Sequence, residues 1–368
     1  MMSWLPGLVL FGVLIAIHEL GHFLACRLTK VKVDKFSIGF GPEILKWKGK
    51  ETTYTLSLLP LGGFVKPAGE QISEVEGGQP QPGDYLAAPV SARIFIVCAG
   101  VIMNYLLALA LLIVFFAAPH SVPANVIGEI QKDSPASVAG LLKGDRILSV
   151  DGKQVKVFSE IKEAIVASSS DLKMNVERKD KSGAVASLEI TVQPQVVERK
   201  DIFGKKTTDR VIGFLPDGAF FVREQYGLGE AIQKAAVFEW NYIVLTHKAI
   251  FYLVTGQMSA KNLAGPVGIV KMSGEAAKQG WTQLIFLAAI LSIGLGVFNL
   301  LPFPALDGGH LVFLLVEAIT KKPVSLKIQE RAATVGFILL MGLMVVVFYN
   351  DLVNLSVFEK IKNLFVKS

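Results

Sequence analysis

The chain has 368 residues, 52% of them hydrophobic and 18% charged, with a mean hydropathy of +0.49; this excludes one ordinary water-soluble domain and makes a bilayer the expected solvent. Its net charge of +6 comes from Lys and Arg scattered among apolar runs, so anionic lipid headgroups are the expected counter-charge, and no nucleic-acid motif is present. The two cysteines, Cys26 and Cys98, lie at edges of apolar runs and read as packing residues, which excludes a disulfide framework.

The first apolar stretch, 4–26, is long enough to span a bilayer and lacks the basic start and small-residue cleavage site of a signal peptide. It is interrupted by His18, Glu19 and His22. Burying such groups in a membrane helix costs several kcal/mol unless they are paired or bound to metal, so a functional site is the default reading. Residues 18–22 read His-Glu-Leu-Gly-His, and the i, i+4 spacing stacks His18 and His22 on one helix face, where they can share one Zn2+. Glu19 is rotated about 100° from His18. There it stands beside the metal and can take a proton from the attacking water, as a general base does.

Thr53 to Leu58 alternate apolar and polar residues between a turn at Gly49 and the pair Gly62-Gly63, which predicts a β-hairpin. Residues 71–84, rich in Gly, Pro, Gln and Glu, read as a linker. A second span covers 93–118. Beyond it, Gly144-Asp145 supplies a turn before a strand at Arg146–Val150, and Leu172–Val176 and Leu188–Val192 alternate as half-buried strands do. Residues 226–262 mix Trp240, Tyr242, Phe251 and Tyr252 with Lys234 and Lys248 and read as a helix at the outer membrane surface.

The third span, 284–304, runs into Asn299-Leu-Leu-Pro302-Phe-Pro304-Ala-Leu-Asp307-Gly-Gly-His310. A catalytic zinc takes three protein ligands and leaves a fourth position open, and Asp307 is the best candidate for the third; the competing reading is an Asp-Gly-Gly turn ending the span. Pro302 and Pro304 break the helix near that carboxylate. His310 is a weaker candidate, read as lying behind the ligands, and His120 and His247 are read as structural or solvated. The fourth span is 332–349, and the tail from 352 to 368 reads as amphipathic and interfacial.

Nine Lys or Arg residues from Arg27 to Arg93, and Lys321, Lys322, Lys327 and Arg331 in the last connection, place both segments in the cytoplasm. The long segment after the second span and both termini then face outward. Spans one and three run the same way, which puts His18 and Asp307 at similar depth.

These residues resemble the site-2 protease family of intramembrane zinc metalloproteases, in particular the bacterial regulators of sigma-factor release. The resemblance rests on His18–His22, on Gly39-Phe40-Gly41-Pro42, on Gly265-Pro266-Val267-Gly268-Ile269, and on Asn299 to Gly309. It implies Glu19 as catalytic base, His18, His22 and Asp307 as Zn2+ ligands, and Asn299 and Pro302 as residues that hold unwound substrate. It also implies that the hairpin is a membrane-dipping β-loop that pairs with substrate backbone. Ser134 to Gly152 look like the core of a PDZ domain, a module that takes an extended peptide or regulator on a sheet edge and in this family filters substrates by size.

The expected fold is an α-helical polytopic membrane protein with four transmembrane helices, a membrane-associated β-hairpin and one extracytoplasmic α+β PDZ domain. Its parts are 1–118 with the first two spans, 119–200 as PDZ domain, 201–281 as a connector with an interfacial helix, and 282–368 with the last two spans. The expected location is a bacterial cytoplasmic membrane with the active site toward the cytoplasmic half. The expected partners are membrane lipid and single-span membrane proteins, such as an anti-sigma factor or a leftover signal peptide, which the enzyme cuts within their transmembrane segments. Two other functions share the metal pattern. A membrane-anchored zinc peptidase for soluble or misfolded chains would take a downstream Glu as third ligand. A membrane zinc carrier would show inverted repeats, which the sequence lacks.

Overall fold

The structure, a computed structural model, describes residues 5–70, 79–180, 183–200, 206–258 and 265–354. Two compact units emerge: Met1–Phe115 with Leu228–Phe251 and Ser259–Ser368, and Phe116–Gly227 with Tyr252–Met258.

The first unit is helical. Its α1 (Leu5–Leu28) carries the His-Glu-Leu-Gly-His run in its second half. Two strands follow, β1 (Val33–Lys48) and β2 (Thr53–Pro67), then α2 (Val90–Ala117), whose last two residues belong to the second unit. Among the described residues four helices are long and apolar enough to cross a membrane: Leu5–Leu28, Val90–Ala117, Trp281–Leu300 and Leu326–Val353. They coincide with the four expected apolar stretches: the first two differ from them by less than a turn at each end, the third stops at Leu300 where 304 was expected, and the fourth is longer at both ends.

The expected hairpin is larger than the six alternating residues suggested. Lys35–Ile38 of β1 lie opposite both Thr53–Leu56 and Gly63–Lys66 of β2, while Trp47 and Lys48 lie opposite Tyr54 and Thr53. Two strands can do this only by folding back on themselves, β1 near Gly39 and Gly41 (φ +86° and +88°) and β2 at Gly62 (φ +134°), backbone conformations that side chains with a Cβ rarely adopt. The Gly62-Gly63 pair therefore lies inside β2 and does not close it. Phe40, Ile44, Leu45, Trp47 and Leu58 are exposed on this sheet, with Trp47 stacked on Tyr54.

The second unit begins with β3 (His120–Pro123), β4 (Ile127–Ile130), α3 (Pro135–Val138), β5 (Arg146–Val150), β6 (Lys153–Gln154) and α4 (Phe158–Ala167). It continues through β7 (Leu172–Lys179), β8 (Val185–Val192), β9 (Gln195–Lys200), β10 (Lys206–Val211), β11 (Phe214–Pro216) and β12 (Phe221–Glu224). A four-stranded sheet has the order β6-β5-β7-β8. In β7, Leu172, Met174 and Val176 are buried and alternate with outward polar residues, so the register that pairs Ile147 with Val176 also fixes which face is core. Ile161 and Ile165, one helical turn apart on α4, cover that face. The unit runs past residue 200, where the alternating pattern stops, because β11 pairs with β4 and β12 with β3. Those late strands are too short to carry a periodic signal.

In the first unit again, α5 (Leu228–Val254), whose last three residues belong to the second unit, buries Ala231, Ala235 and Glu239 along one stripe, and its Phe238 ring lies 5.3 Å from Phe286. It is not apolar enough to count among the four. After it come α6 (Pro266–Gln279), α7 (Trp281–Leu300), α8 (Asp307–Thr320) and α9 (Leu326–Asn354). The start of α6 is held by Asp351 of α9, whose carboxylate accepts the backbone N–H groups of Gly265 and Gly268 at 2.9 Å each. The Gly265-Pro266-Val267-Gly268 motif thus serves as an anchoring point for the last helix. Most of the expected linker, 71–78, and the tail beyond Asn354 lie outside the described residues.

One ion pair carries much of the polar order of the second unit. Asp145, 1% exposed, accepts from the guanidinium of Arg178 at 2.8 and 2.7 Å and from the Leu142 amide at 2.8 Å, and it holds the Arg178 pKa above its ordinary value. Arg178 keeps partial access to water, so replacing Asp145 with Ala is expected to cost about 2 kcal/mol, nearer a lost charged hydrogen bond than a fully buried charge. Limited proteolysis of the full chain in detergent checks this: cleavage within 116–227 should accelerate roughly 30-fold in Asp145→Ala, with the spans untouched.

Candidate metal centre

The site is assembled by four helices. The i, i+4 spacing on α1 points His18 and His22 the same way, with their Nε2 atoms 3.2 Å apart. Asp307, the first residue of α8, brings Oδ2 to 3.0 Å from His18 Nε2 and 3.4 Å from His22 Nε2. Asp307 reaches them because the chain leaves the helical path at Leu301, passes through Pro302 and Pro304, and restarts as α8. The three donor atoms lie within 4.8 Å of one another.

Two features show that this donor set fits zinc. Four-coordinate zinc with bonds near 2.0–2.1 Å separates its ligand atoms by about 3.3 Å, and the three separations here are 3.0, 3.2 and 3.4 Å. Further, Asp307 Oδ2 is buried within contact distance of two ring nitrogens, yet it makes no hydrogen bond. A single cation set among these three atoms would satisfy all of them at once. His310, one turn further along α8, is exposed and is not among the converging atoms.

Behind the ligands stands one face of α2. The Ile96 carbonyl accepts from His22 Nδ1 at 2.8 Å, which turns His22 Nε2 toward the metal point. A Cβ on Gly100 would collide with both imidazole rings, so only Gly allows the rings to lie against the helix. Asn104, fully buried, has its carboxamide 3.1 Å from His18 Nδ1, and its Oδ1 is otherwise unsatisfied. A carboxamide turned through 180° presents Oδ1 to the ring instead, accepts the Nδ1 proton and leaves Nε2 free to ligate, so we assign that orientation. Residues 96, 100 and 104 recur at helical spacing. Asn104 and Gly100 escape the sequence reading; the available signal was a lone carboxamide inside a 28-residue apolar helix.

The remaining expected residues fall around this point. Asn299, one residue before the end of α7, places its amide nitrogen 3.3 Å from His18 Nε2. Pro302 is exposed in the irregular segment between α7 and α8. Glu19 is in electrostatic contact with His18, His22 and Asp307 and lies beside the Val65 backbone of β2. A Cβ on Gly63 would stand 3.1 Å from Glu19 Cγ, so β2 passes directly over the carboxylate.

The sequence matches the description Peptidase family M50 over residues 6–343. The chain belongs to peptidase family M50. Relatives named provisionally as zinc metalloproteases run through the same length: one from Rhizobium meliloti is 34% identical over 94% of this chain and 95% of its own. One from Fusobacterium nucleatum is 33% identical over 95% and 98%, and one from Campylobacter jejuni is 35% identical over 95% and 93%. This M50 protein is accordingly a site-2-type zinc metalloprotease whose cofactor is Zn2+.

Loss of the Asn104 contact should weaken metal binding without unfolding the bundle. In Asn104→Leu the affinity for Zn2+, measured by competition with a chelator, is expected to fall roughly 10- to 100-fold, with Gly100→Ala shifting in the same direction. Ile102→Ala, a change at an exposed position of the same helix, should leave the affinity unchanged.

Proposed function

We propose that this M50 protein is an intramembrane endopeptidase that cuts transmembrane segments of single-span membrane proteins. The observation that carries the reading is that the converging donors lie among helices apolar enough to be membrane spans, with Glu19 and an accessible sheet edge beside them. In this reading His18, His22 and Asp307 hold the Zn2+. When bound, zinc polarises the scissile carbonyl and makes water acidic enough to lose a proton near neutral pH.

Glu19 takes that proton and returns it to the leaving amine. Its neighbours favour the role: His18 and His22 are in electrostatic contact with it, and β2 passes next to the carboxylate at Gly63. Asn299 orients the substrate strand at the point of attack, and Pro302 shapes the non-helical wall that receives it. A membrane helix hides its peptide bonds in its own hydrogen bonds and must unwind before it can be cut. Gly63–Val65 of β2 pair with Ile38–Phe36 of β1 on one side and, among the described residues, with no strand on the other, so this stretch is a sheet edge next to the catalytic carboxylate. An unwound substrate adds there as a further strand.

The second unit serves as a PDZ domain outside the cytoplasmic face. Support comes from its four-stranded sheet, from α4, which covers one face of that sheet, and from β11, which pairs with β4 while its Phe214 ring lies 5.6 Å from that of Phe158 on α4. In this reading the termini lie on the same side as that domain, and the catalytic point lies toward the cytoplasmic half of a bacterial inner membrane. The exposed apolar tip of the β1–β2 sheet sits in lipid.

The deciding experiment is cleavage of single-span model substrates with shortened outer domains, compared in the same membranes for wild type, Glu19→Gln and Asp307→Ala. Glu19→Gln should retain zinc and lose at least about 10²-fold in rate, whereas Asp307→Ala should lose both zinc and activity. Cleavage that survives Glu19→Gln removes the assigned mechanism. Cleavage of soluble unfolded chains but of no membrane segment would favour the anchored-peptidase reading.

A further inference from the structure

Asp307 differs from the two histidines in how it is held. The histidines share one long helix and are each braced by α2, whereas Asp307 sits at the start of a 14-residue helix entered through an irregular segment. Near its start α8 is fixed by Gly308 and Gly309, which pack against the backbone of Leu300–Pro304. Most other positions of α8 are partly or fully exposed, Leu314 being the main buried exception. A helix packed only at its first turn can pivot there, and a pivot re-aims the side chain at its start; a displacement of about 1 Å would carry the Asp307 carboxylate out of ligand distance.

The far end of α8 carries a second attachment. Glu317 receives both arms of the Arg93 guanidinium, at 3.1 and 2.6 Å, with the two side chains 14% and 10% exposed. Arg93 is itself immobilised, since its Nε donates to the Ala88 carbonyl at 3.1 Å and its guanidinium lies 6.0 Å from the Tyr85 ring centre. A bidentate Arg–carboxylate pair fixes direction as well as distance. Arg93, moreover, opens the α2 stripe that continues through Ile96, Gly100 and Asn104. One face of one helix thus touches His22, both imidazole rings, His18 and, through Glu317, the helix of Asp307.

We propose that the Arg93–Glu317 pair is the positioning device for the third metal ligand: it locks α8 to the face of α2 that braces the histidines, so that all three donors share one frame. Arg93 and Glu317 touch neither substrate nor metal. The proposal rests on His18, His22 and Asp307 being the ligands, and it assigns the job of holding the Asp307 arm to two residues 224 positions apart in the chain.

Cobalt binding to the purified full chain tests it, because Co2+ reports its coordination geometry in visible absorption independently of catalysis. Glu317→Gln and the double variant Arg93→Met/Glu317→Met are compared with wild type and with His18→Ala. The double variant removes both charges and so leaves no unpaired ion to unfold the bundle. Both latch variants should bind Co2+ about 10-fold more weakly, with reduced visible absorption at saturation, while helix content and elution volume stay those of wild type; His18→Ala should give no such spectrum. A double variant that binds Co2+ with wild-type affinity and spectrum, beside a His18→Ala protein that does not, overturns the latch and leaves the ligand reading standing. A wild-type spectrum in His18→Ala overturns the ligand reading itself.

Discussion

Two imidazoles and a carboxylate within 3.4 Å of one another are costly to bury among apolar helices, and much of the first unit can be understood as the means of holding them there. Every polar atom of the ligands that does not face the metal point needs a partner. The membrane supplies none, so the partners come from protein: a main-chain carbonyl at Ile96 and a carboxamide at Asn104. Both lie on α2, and the approach they require explains its small residues. Gly21 of α1 packs on the backbone of Ala99, and Gly100 leaves room for the imidazole rings. Larger side chains at these places would separate the two helices by more than a hydrogen bond can span.

The sheet solves a different problem at the same point. The proposed cleavage inside a bilayer needs exposed backbone beside a base, and a span offers neither. β2 brings a sheet edge over Glu19 because Gly62 and Gly63 let it turn and pass close. That Gly63 faces Glu19, with no side chain between, is a requirement of reach and not of flexibility.

The sequence made some of this plain and hid the rest for identifiable reasons. His18, Glu19 and His22 stand out because polar residues in an apolar run have no bland explanation, and Asp307 follows from the need for a third donor. The four apolar helices were readable from length alone. The doubled sheet was not, since its pairing of Lys35–Ile38 with two partners depends on turns at Gly39, Gly41 and Gly62 that break the alternation. Strands β11 and β12 were lost because three or four residues carry no period. Asn104 and Glu317 went unseen for another reason: each is a single polar residue whose meaning lies in what it meets, His18 86 residues away and Arg93 224 away.

The choice of aspartate as third donor, delivered from a helix start, has its own physical sense. Asp307 is the first residue of α8, where the helix dipole favours a negative charge, so the carboxylate is stabilised in the ionised form that can take a metal. Histidine would gain nothing from that field. The same dipole would disfavour the positive charge of a protonated imidazole at this position, whereas His18 and His22, in the body of α1, feel little of it. The break at Pro302–Leu306 therefore does two things at once: it leaves non-helical backbone beside the converging donors, and it creates a new helix start whose field suits an anionic donor.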